Sequence, residues 1–380
     1  VPAVTAATPG QSGRGAQVLR EIVGGNAMLS LLAVVVALVL GGFLIGAADP
    51  HVQTAAQYLF ARPGDFLTAF GNAVGGAYSA LFQGAVYDFG SENFARAIRP
   101  LTETMTVSVP LIFAGLGLGI GFEAGLFNIG AQGQIILGGI FGGYIGFAWH
   151  LPIGLHLLLA LIGAMLGGAI WASIAGVLKA RTGAHEVIVT IMLNNVAIYL
   201  IAYVLTLKAF KRPGSTNPIS PFVDSSAQYP LLLGSGFRLH AGFLLALVAA
   251  AGVWWLMNRS TLGFTFRAVG ANPSAARTAG MSVTGTYIWV MAIAGALAGL
   301  GGTAQVLGTE KVLTAGVAAS FGFDAITVAL LGRSQPLGIV LAACPFVGLR
   351  SGRFPSPSPP GNPLPRPPLA PSLPPLPPPP

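Results

Sequence analysis

The chain has 380 residues, 53% hydrophobic and only 8% charged, with a mean hydropathy of +0.74. Soluble domains carry about 25% charged residues, so the composition excludes a soluble globular protein and specifies an integral membrane protein. The net charge of +8 comes without a basic cluster interleaved with aromatics, which excludes a nucleic-acid partner, and the single cysteine, Cys344, excludes a disulfide framework or a multi-Cys metal site.

Residues 1–26 are expected to be an N-terminal tail without a cleavable signal, because the apolar run that follows is too long for a signal core. The transmembrane domain occupies 27–350. Its first span, Ala27 to Ala47, is 21 residues without a charge. A segment at 49–104 follows, expected to lie in the membrane interface or outside. Within it, Phe66 to Tyr87 lacks charge, but Gly71, Asn72, Gly75, Gly76, Ser79, Gln83 and Gly84 make a poor membrane helix. It reads as an interfacial or re-entrant segment.

Met105 to Phe122 and Ile135 to Trp149 are the next spans, separated by a polar, Gly-rich break from Glu123 to Gln134. Then come Ile153 to Leu178, Val187 to Leu207, Ala241 to Met257, Thr286 to Leu307 and Val317 to Leu331. A last span starts near Pro336, and its apolar pattern stops after Ala343. The expected fold is an all-α polytopic helical bundle of about 8–10 transmembrane helices, with one or more C-terminal helices lost. The Pro-rich tail at 351–380 holds 15 of the 29 prolines and cannot form a membrane helix. A reading-frame shift is the expected origin of that tail.

Chemistry-bearing residues concentrate at the break. Phe127 offers a ring to stack on a sugar or a base, while Asn128, Gln132 and Gln134 offer donors and acceptors without fixed charge. Neutral amides suit an uncharged polar solute that has to be released again. The alternative is that they only tie helices together. Asn194 and Asn195, mid-span, are further candidates. Of the few charges near membrane depth, Glu123, Glu186 and Glu310 fall at predicted helix ends. Asp324 lies deepest, nine residues from Arg333, with a packing or capping role at least as fitting as transport. His51, His150, His156, His185 and His240 show no metal-ligand spacing and read as loop or interface residues. No serine nucleophile motif and no phosphate-cradling Gly-x-x-x-x-Gly precedes any lysine, so the chain is expected to be no enzyme and to hold no cofactor.

In the loop at 263–283, Asn272 is a good N-cap, Pro273 suits the first turn, and Gly280 is a stop, predicting a short helix over Ser274 to Ala279. Such a helix, standing out of the membrane, is shaped to sit in a groove on a partner.

Three stretches carry a family resemblance. They are Gly125 to Gln134 (GLFNIGAQGQ), Gly183 to Asn194 (GAHEVIVTIMLN) and Gly322 to Arg333 (GFDAITVALLGR). In that order they resemble bacterial ABC importer permeases of the branched-chain amino acid and simple sugar type, nearest the nucleoside and simple sugar permeases. The likeness covers Met105 to Leu341, is weak upstream and stops beyond Ala343.

The resemblance implies a multi-pass subunit of the bacterial inner membrane, importing nucleosides or simple sugars by alternating access. Its implied partners are ATPase subunits that bind the ATP, a second permease subunit and an extracytoplasmic solute-binding lipoprotein, all within membrane lipid. It makes Ala271, Asn272, Pro273, Ser274, Ala275, Ala276 and Arg277 the ATPase-coupling segment. It also sets the orientation, because Lys and Arg divide eight against eight between the two sides if Phe66 to Tyr87 does not cross, and nine against seven toward the other arrangement if it does. The tail at 1–26 and the loop at 263–283 are then cytoplasmic, and 49–104 faces outward. The rival from another class is an ion-coupled secondary transporter. It expects paired broken helices, inverted repeats and midplane carboxylates, whereas the sequence displays one break and no repeat.

Overall fold

A computed structural model describes residues 26–351, with side chains from 35 to 350. Among the described residues the chain is helical and has no strand; one isolated antiparallel bridge pairs Leu231 with His240. It divides into two units, at 26–80 and 81–351, the division falling within a helix.

In the first unit α1 (Asn26–Ala48) matches the expected first span, and a 76° bend leads into α2 (Pro50–Ala56). Asp49 makes the bend. Its carboxylate accepts from the backbone N–H of His51 at 2.8 Å and of Val52 at 3.2 Å, with Pro50 at the first helical position. The segment expected to be interfacial or re-entrant is one unbroken 23-residue helix, α3 (Pro63–Ala85). Single glycines lower helix propensity by about 1 kcal/mol each, but they keep their backbone donors, so the hydrogen-bond ladder survives them. The Tyr78 hydroxyl donates to the Leu38 carbonyl, and the Phe70 ring lies where a side chain on Gly46 would stand.

The second unit is built on a buried axis. After the short α4 (Phe94–Ala97), α5 (Arg99–Glu123) is buried along most of its length. Around it stand α6 (Ala131–Ala148), α7 (Leu155–Thr182), α8 (Glu186–Val204), α9 (Gly242–Arg259) and α12 (Val283–Thr303). Two short helices, α10 (Thr261–Ala271) and α11 (Pro273–Thr278), link α9 to α12. Two more, α13 (Phe321–Leu331) and α14 (Pro336–Ser351), complete the unit.

Lipid supplies no hydrophobic drive between helices, so close packing has to. A methyl group on Gly168 of α7 would overlap the Gly295 carbonyl of α12. One on Gly138 of α6 would overlap the Gly299 backbone, and one on Gly302 the Ile135 carbonyl. Helices α6, α7 and α12 therefore touch backbone to backbone.

Five helices among the described residues are long and apolar enough to cross a membrane, or six if the bent α1–α2 pair counts as one span. More spans were expected. Gly and Gln dilute α6, polar residues dilute α3, and α13 and α14 are short. The expected span Val317 to Leu331 is helical only from Phe321. Residues 310–320 form a second break. Ser220 holds its start, its N–H donating to the Leu313 carbonyl at 3.1 Å and its Oγ accepting from the Leu313 N–H at 2.8 Å. By contrast α14 runs through Pro345 to Ser351, past the expected stop at Ala343. The Pro-rich tail, and with it the expected frame shift, lies outside the described residues, as does the tail before residue 26.

The loop 205–241 closes one end of the bundle. Its backbone donates from Asp224 to the Gly146 carbonyl at 2.9 Å and from Tyr229 to the Leu307 carbonyl at 3.1 Å. Leu307 belongs to a π-helical turn, Ala304–Thr309, that continues α12. Two histidines expected in loops or interfaces are fully buried. His156, in the first turn of α7, meets Ser226 Oγ at 2.7 Å and the Ile145 carbonyl at 2.9 Å. His240 accepts from the Gly242 N–H at 3.2 Å, and its ring stacks on Tyr229.

Two predictions follow from this packing. Gly168→Val forces a side chain into the α7–α12 contact and is expected to destabilise the protein by about 1–3 kcal/mol, read as a lower melting temperature in detergent. Burial, helped by the charge of Arg238, pushes the His240 imidazole down to about 4 from its ordinary 6.5. The unfolded chain takes up that proton near 6.5 and the folded protein only near 4, so stability falls as pH drops through this window, by up to about 3 kcal/mol. Melting curves from pH 7 to 4.5 measure the slope, and His240→Gln is expected to flatten it.

Candidate functional site

The break is shorter than the sequence indicates. Helix α5 ends at Glu123 and α6 begins at Ala131, so the non-helical backbone is Ala124 to Gly130, and Gln132 and Gln134 lie in the first turn of α6. Gly125, with φ of +71°, terminates α5: the Leu126 N–H reaches the Gly121 carbonyl at 2.9 Å and the Gly125 N–H the Phe122 carbonyl at 3.1 Å. This is a Schellman stop, which favours glycine at the left-handed position and an apolar residue after it; Leu126 is buried.

The amides converge. Asn128 and Gln134 form a reciprocal pair, each Nδ2 or Nε2 donating to the other's oxygen at 3.3 and 3.1 Å, and Asn128 Oδ1 also accepts from the Gly130 N–H at 2.8 Å. Helix α6 starts at Gly130, which has no side chain to cap it. Asn194 of α8 does so instead: its Oδ1 accepts from the Gly133 N–H at 2.8 Å, and its Nδ2 donates to the Ile129 carbonyl at 2.8 Å. One amide from a neighbouring helix thus satisfies groups on both sides of the helix start. Gln132 reaches the second break, its Nε2 donating to the Ala319 carbonyl at 2.7 Å and its Oε1 accepting from the Gly322 N–H at 3.0 Å. The two breaks therefore meet at Gln132.

Other predicted residues stand apart from this cluster. Phe127 is exposed and stacks on Phe122 at 5.1 Å. Glu123 is half-buried at the end of α5. Asn195 is not part of the cluster: neighbouring helical positions point about 100° apart, so Asn194 faces α6 while Asn195 is exposed and donates to the Ile191 carbonyl of its own helix at 3.1 Å. Glu186 pairs with Lys179 at 2.7 Å but does not stand apart: it is buried and its carboxylate also accepts from the Phe127 backbone N–H in the break. Asp324 pairs with Arg350 and accepts from Ser320 Oγ at 2.7 Å, and neither side chain caps a backbone N–H at the start of α13.

Sequence reading missed Thr190, whose Oγ accepts from the Ile129 N–H at 3.3 Å, although its place one turn before Asn194 was a usable signal. It also missed Trp171, whose Nε1 is buried without a hydrogen-bond partner beside Gly133.

The short helix expected in the loop at 263–283 forms one residue early, as Pro273–Thr278 rather than Ser274 to Ala279. Asn272 Oδ1 accepts from the Ala275 N–H at 3.0 Å, and Gly280 stops the helix with φ of +83°. Ala271, Asn272, Pro273, Ser274, Ala275 and Arg277 are exposed, whereas Ala276 packs into a small core with Val269 and Val283.

Residues 101–361 match the family described as branched-chain amino acid transport system / permease component, reaching past Ala343, where the resemblance was expected to stop. The chain is 40% identical over 290 residues to the guanosine ABC transporter permease protein NupP of Bacillus subtilis, covering 74% of this chain and 79% of that one. It is 37% identical over 260 residues to the glucose ABC transporter permease protein TsgB13 of Haloferax volcanii, covering 66% and 68%. It is 33% identical over 262 residues to the nucleoside ABC transporter permease protein NupB of Lactococcus lactis, covering 67% and 72%. No solved structure matches it. The chain belongs to this family of ABC transporter permease components: it is a multi-pass membrane subunit that translocates rather than catalyses. Family membership overturns the ion-coupled rival, even though the second break meets one of that rival's expectations.

Asn194→Ala would leave the Gly133 N–H and the Ile129 carbonyl unpaired in a buried place and is expected to destabilise the protein by about 1–3 kcal/mol. Asn195→Ala, one residue along on the exposed face, is expected to change stability by less than about 0.5 kcal/mol. Melting in detergent compares the two.

Proposed function

We propose that this chain is the membrane-spanning subunit of an ABC importer for nucleosides, with simple sugars second. It would work in the bacterial inner membrane with a second permease, two ATPase subunits that bind the ATP, and an extracytoplasmic solute-binding lipoprotein. The relatives named for guanosine, nucleoside and glucose transport support the substrate class. The observation that carries the mechanism is a cluster of neutral amides at a helix break, in the same unit as an exposed, capped helix.

On this reading Asn272 to Arg277 receives the ATPase motion on the cytoplasmic side. Asn128, Gln132, Gln134 and Asn194 hold the break closed when paired with one another and offer hydrogen bonds to the solute when the break opens. Phe127 and Glu123 flank the break. Asn195 supports a pathway along α8: it is exposed nine residues from each end of the helix, about 13 Å, where lipid has no partner for an amide and a wet cavity or a second permease does.

The test is uptake of labelled adenosine, uridine and ribose by cells carrying the complete transporter. Nucleoside uptake is expected to depend on ATP, and to fall at least tenfold when Asn272, Pro273 and Arg277 are all changed to Ala. Uptake that survives ATP depletion and collapses with the ion gradient would sink the proposal.

A further inference from the structure

The helix that leads into Asn272 to Arg277 meets the break at Gly270, where no side chain stands between the two backbones. A Cβ on Gly270, next to last in α10, would overlap the Glu123 carbonyl and lie 2.8 and 2.9 Å from the Ala124 carbonyl carbon and Cα. From the other side, a Cβ on Gly125 would lie 3.2 Å from the Gly270 Cα. We propose that this contact of Gly270 with the Glu123–Gly125 turn is the joint through which the coupling helix moves the break. This rests on the importer reading given above.

The surrounding packing makes α10 a lever. At its start, a methyl group on Gly263 would overlap the Leu256 carbonyl of α9, and Arg267 donates to the Met257 carbonyl. At its end, Val269, Ala276 and Val283 pack together, tying α10 to α11 and to the first turn of α12. Force on the exposed face of α11 therefore reaches Gly270 through buried side chains. Beyond Gly270 it meets a turn fixed by two backbone hydrogen bonds and by buried Leu126, two residues before Asn128. Rotatable side chains would absorb a small displacement by changing rotamer, whereas a backbone-to-backbone contact passes it on. Gly270 and Gly125 are positioning residues, acting on the amides without touching solute.

The experiment uses the complete transporter in lipid nanodiscs and proteoliposomes and measures solute uptake per ATP hydrolysed. Gly270→Ala is expected to lower that ratio about tenfold while ATP hydrolysis stays within twofold. Gly252→Ala, on an open face of α9, should leave both unchanged. Equal falls in uptake and hydrolysis, or none, would overturn the joint. If Gly270→Ala fails to assemble, Gly125→Asn tests the opposite side of the contact, because asparagine tolerates the left-handed backbone; failure of both to assemble would make the contact purely structural.

A second readout is independent of solute. A spin label at Phe127→Cys, with Cys344 replaced by Ala, is expected to change mobility when ATP is trapped in the ATPases. The change should vanish with Gly270→Ala. An unchanged response in the variant, or none in the parent, counts against the joint. A response without uptake of any solute would leave the joint standing and remove the substrate reading.

Discussion

Hydrocarbon offers no partner to a peptide N–H, so a helix that starts inside a membrane protein needs its first-turn donors met by protein. Helix α6 starts this way, after seven residues of non-helical backbone, at a glycine that cannot cap it. Much of the site can be read as the answer to that demand. Asn194 arrives from α8 to take the Gly133 N–H and the Ile129 carbonyl, Thr190 takes the Ile129 N–H, and Asn128 folds back onto Gly130. The spacing of α8 against α6 is thus tied to hydrogen-bond geometry as well as to van der Waals contact.

The same demand appears at the second break, where Gln132 supplies an acceptor to the Gly322 N–H and a donor to the Ala319 carbonyl. A single residue in the first turn of α6 therefore links two irregular segments. The glycine contacts between α6, α7 and α12 set a stiff frame around them, since backbones already touching cannot approach further. Stiff helices, joined by short irregular segments held by a few amides, concentrate any change of shape in those segments.

Local signals in the sequence carried the parts of this that depend on neighbours in the chain. The first span, the Asn272–Pro273 start and the Gly280 stop all follow from residues within one helical turn. The second break was legible only in part: the sequence leaves Gly308 to Gly316 between two spans, but the apolar Val317 and Ala318 read as the start of the next helix, which begins only at Phe321. What unwinds it comes from elsewhere: Ser220 lies 93 positions from Leu313, and Gln132 lies 187 from Ala319. Asn194 and Asn195 looked equivalent as adjacent mid-span amides, and only the packing of α8 separated them. Gly270 carried no sign of importance, since a glycine before a short helix is ordinary and its partner turn lies far away in sequence. The candidate amides were legible by type, and their mutual pairing was not.

That pairing bears on how a transporter of uncharged solutes would use them. An amide–amide hydrogen bond contributes only about 0.5–1.5 kcal/mol net, because breaking it frees groups that find other partners. If a solute's hydroxyls and ring nitrogens, or water, occupy the same groups when the break opens, the exchange is close to balanced. Neither state is then a deep trap. A buried carboxylate would not behave this way: stripped of its counter-ion it would strongly favour one state. The carboxylate that reaches the break, Glu186 on the Phe127 backbone, is paired to Lys179, and Asp324 is paired to Arg350. On the proposed reading, neutral amides would let the break switch at small free-energy difference, and the direction of transport would be left to whatever acts on the exposed face of Asn272 to Arg277.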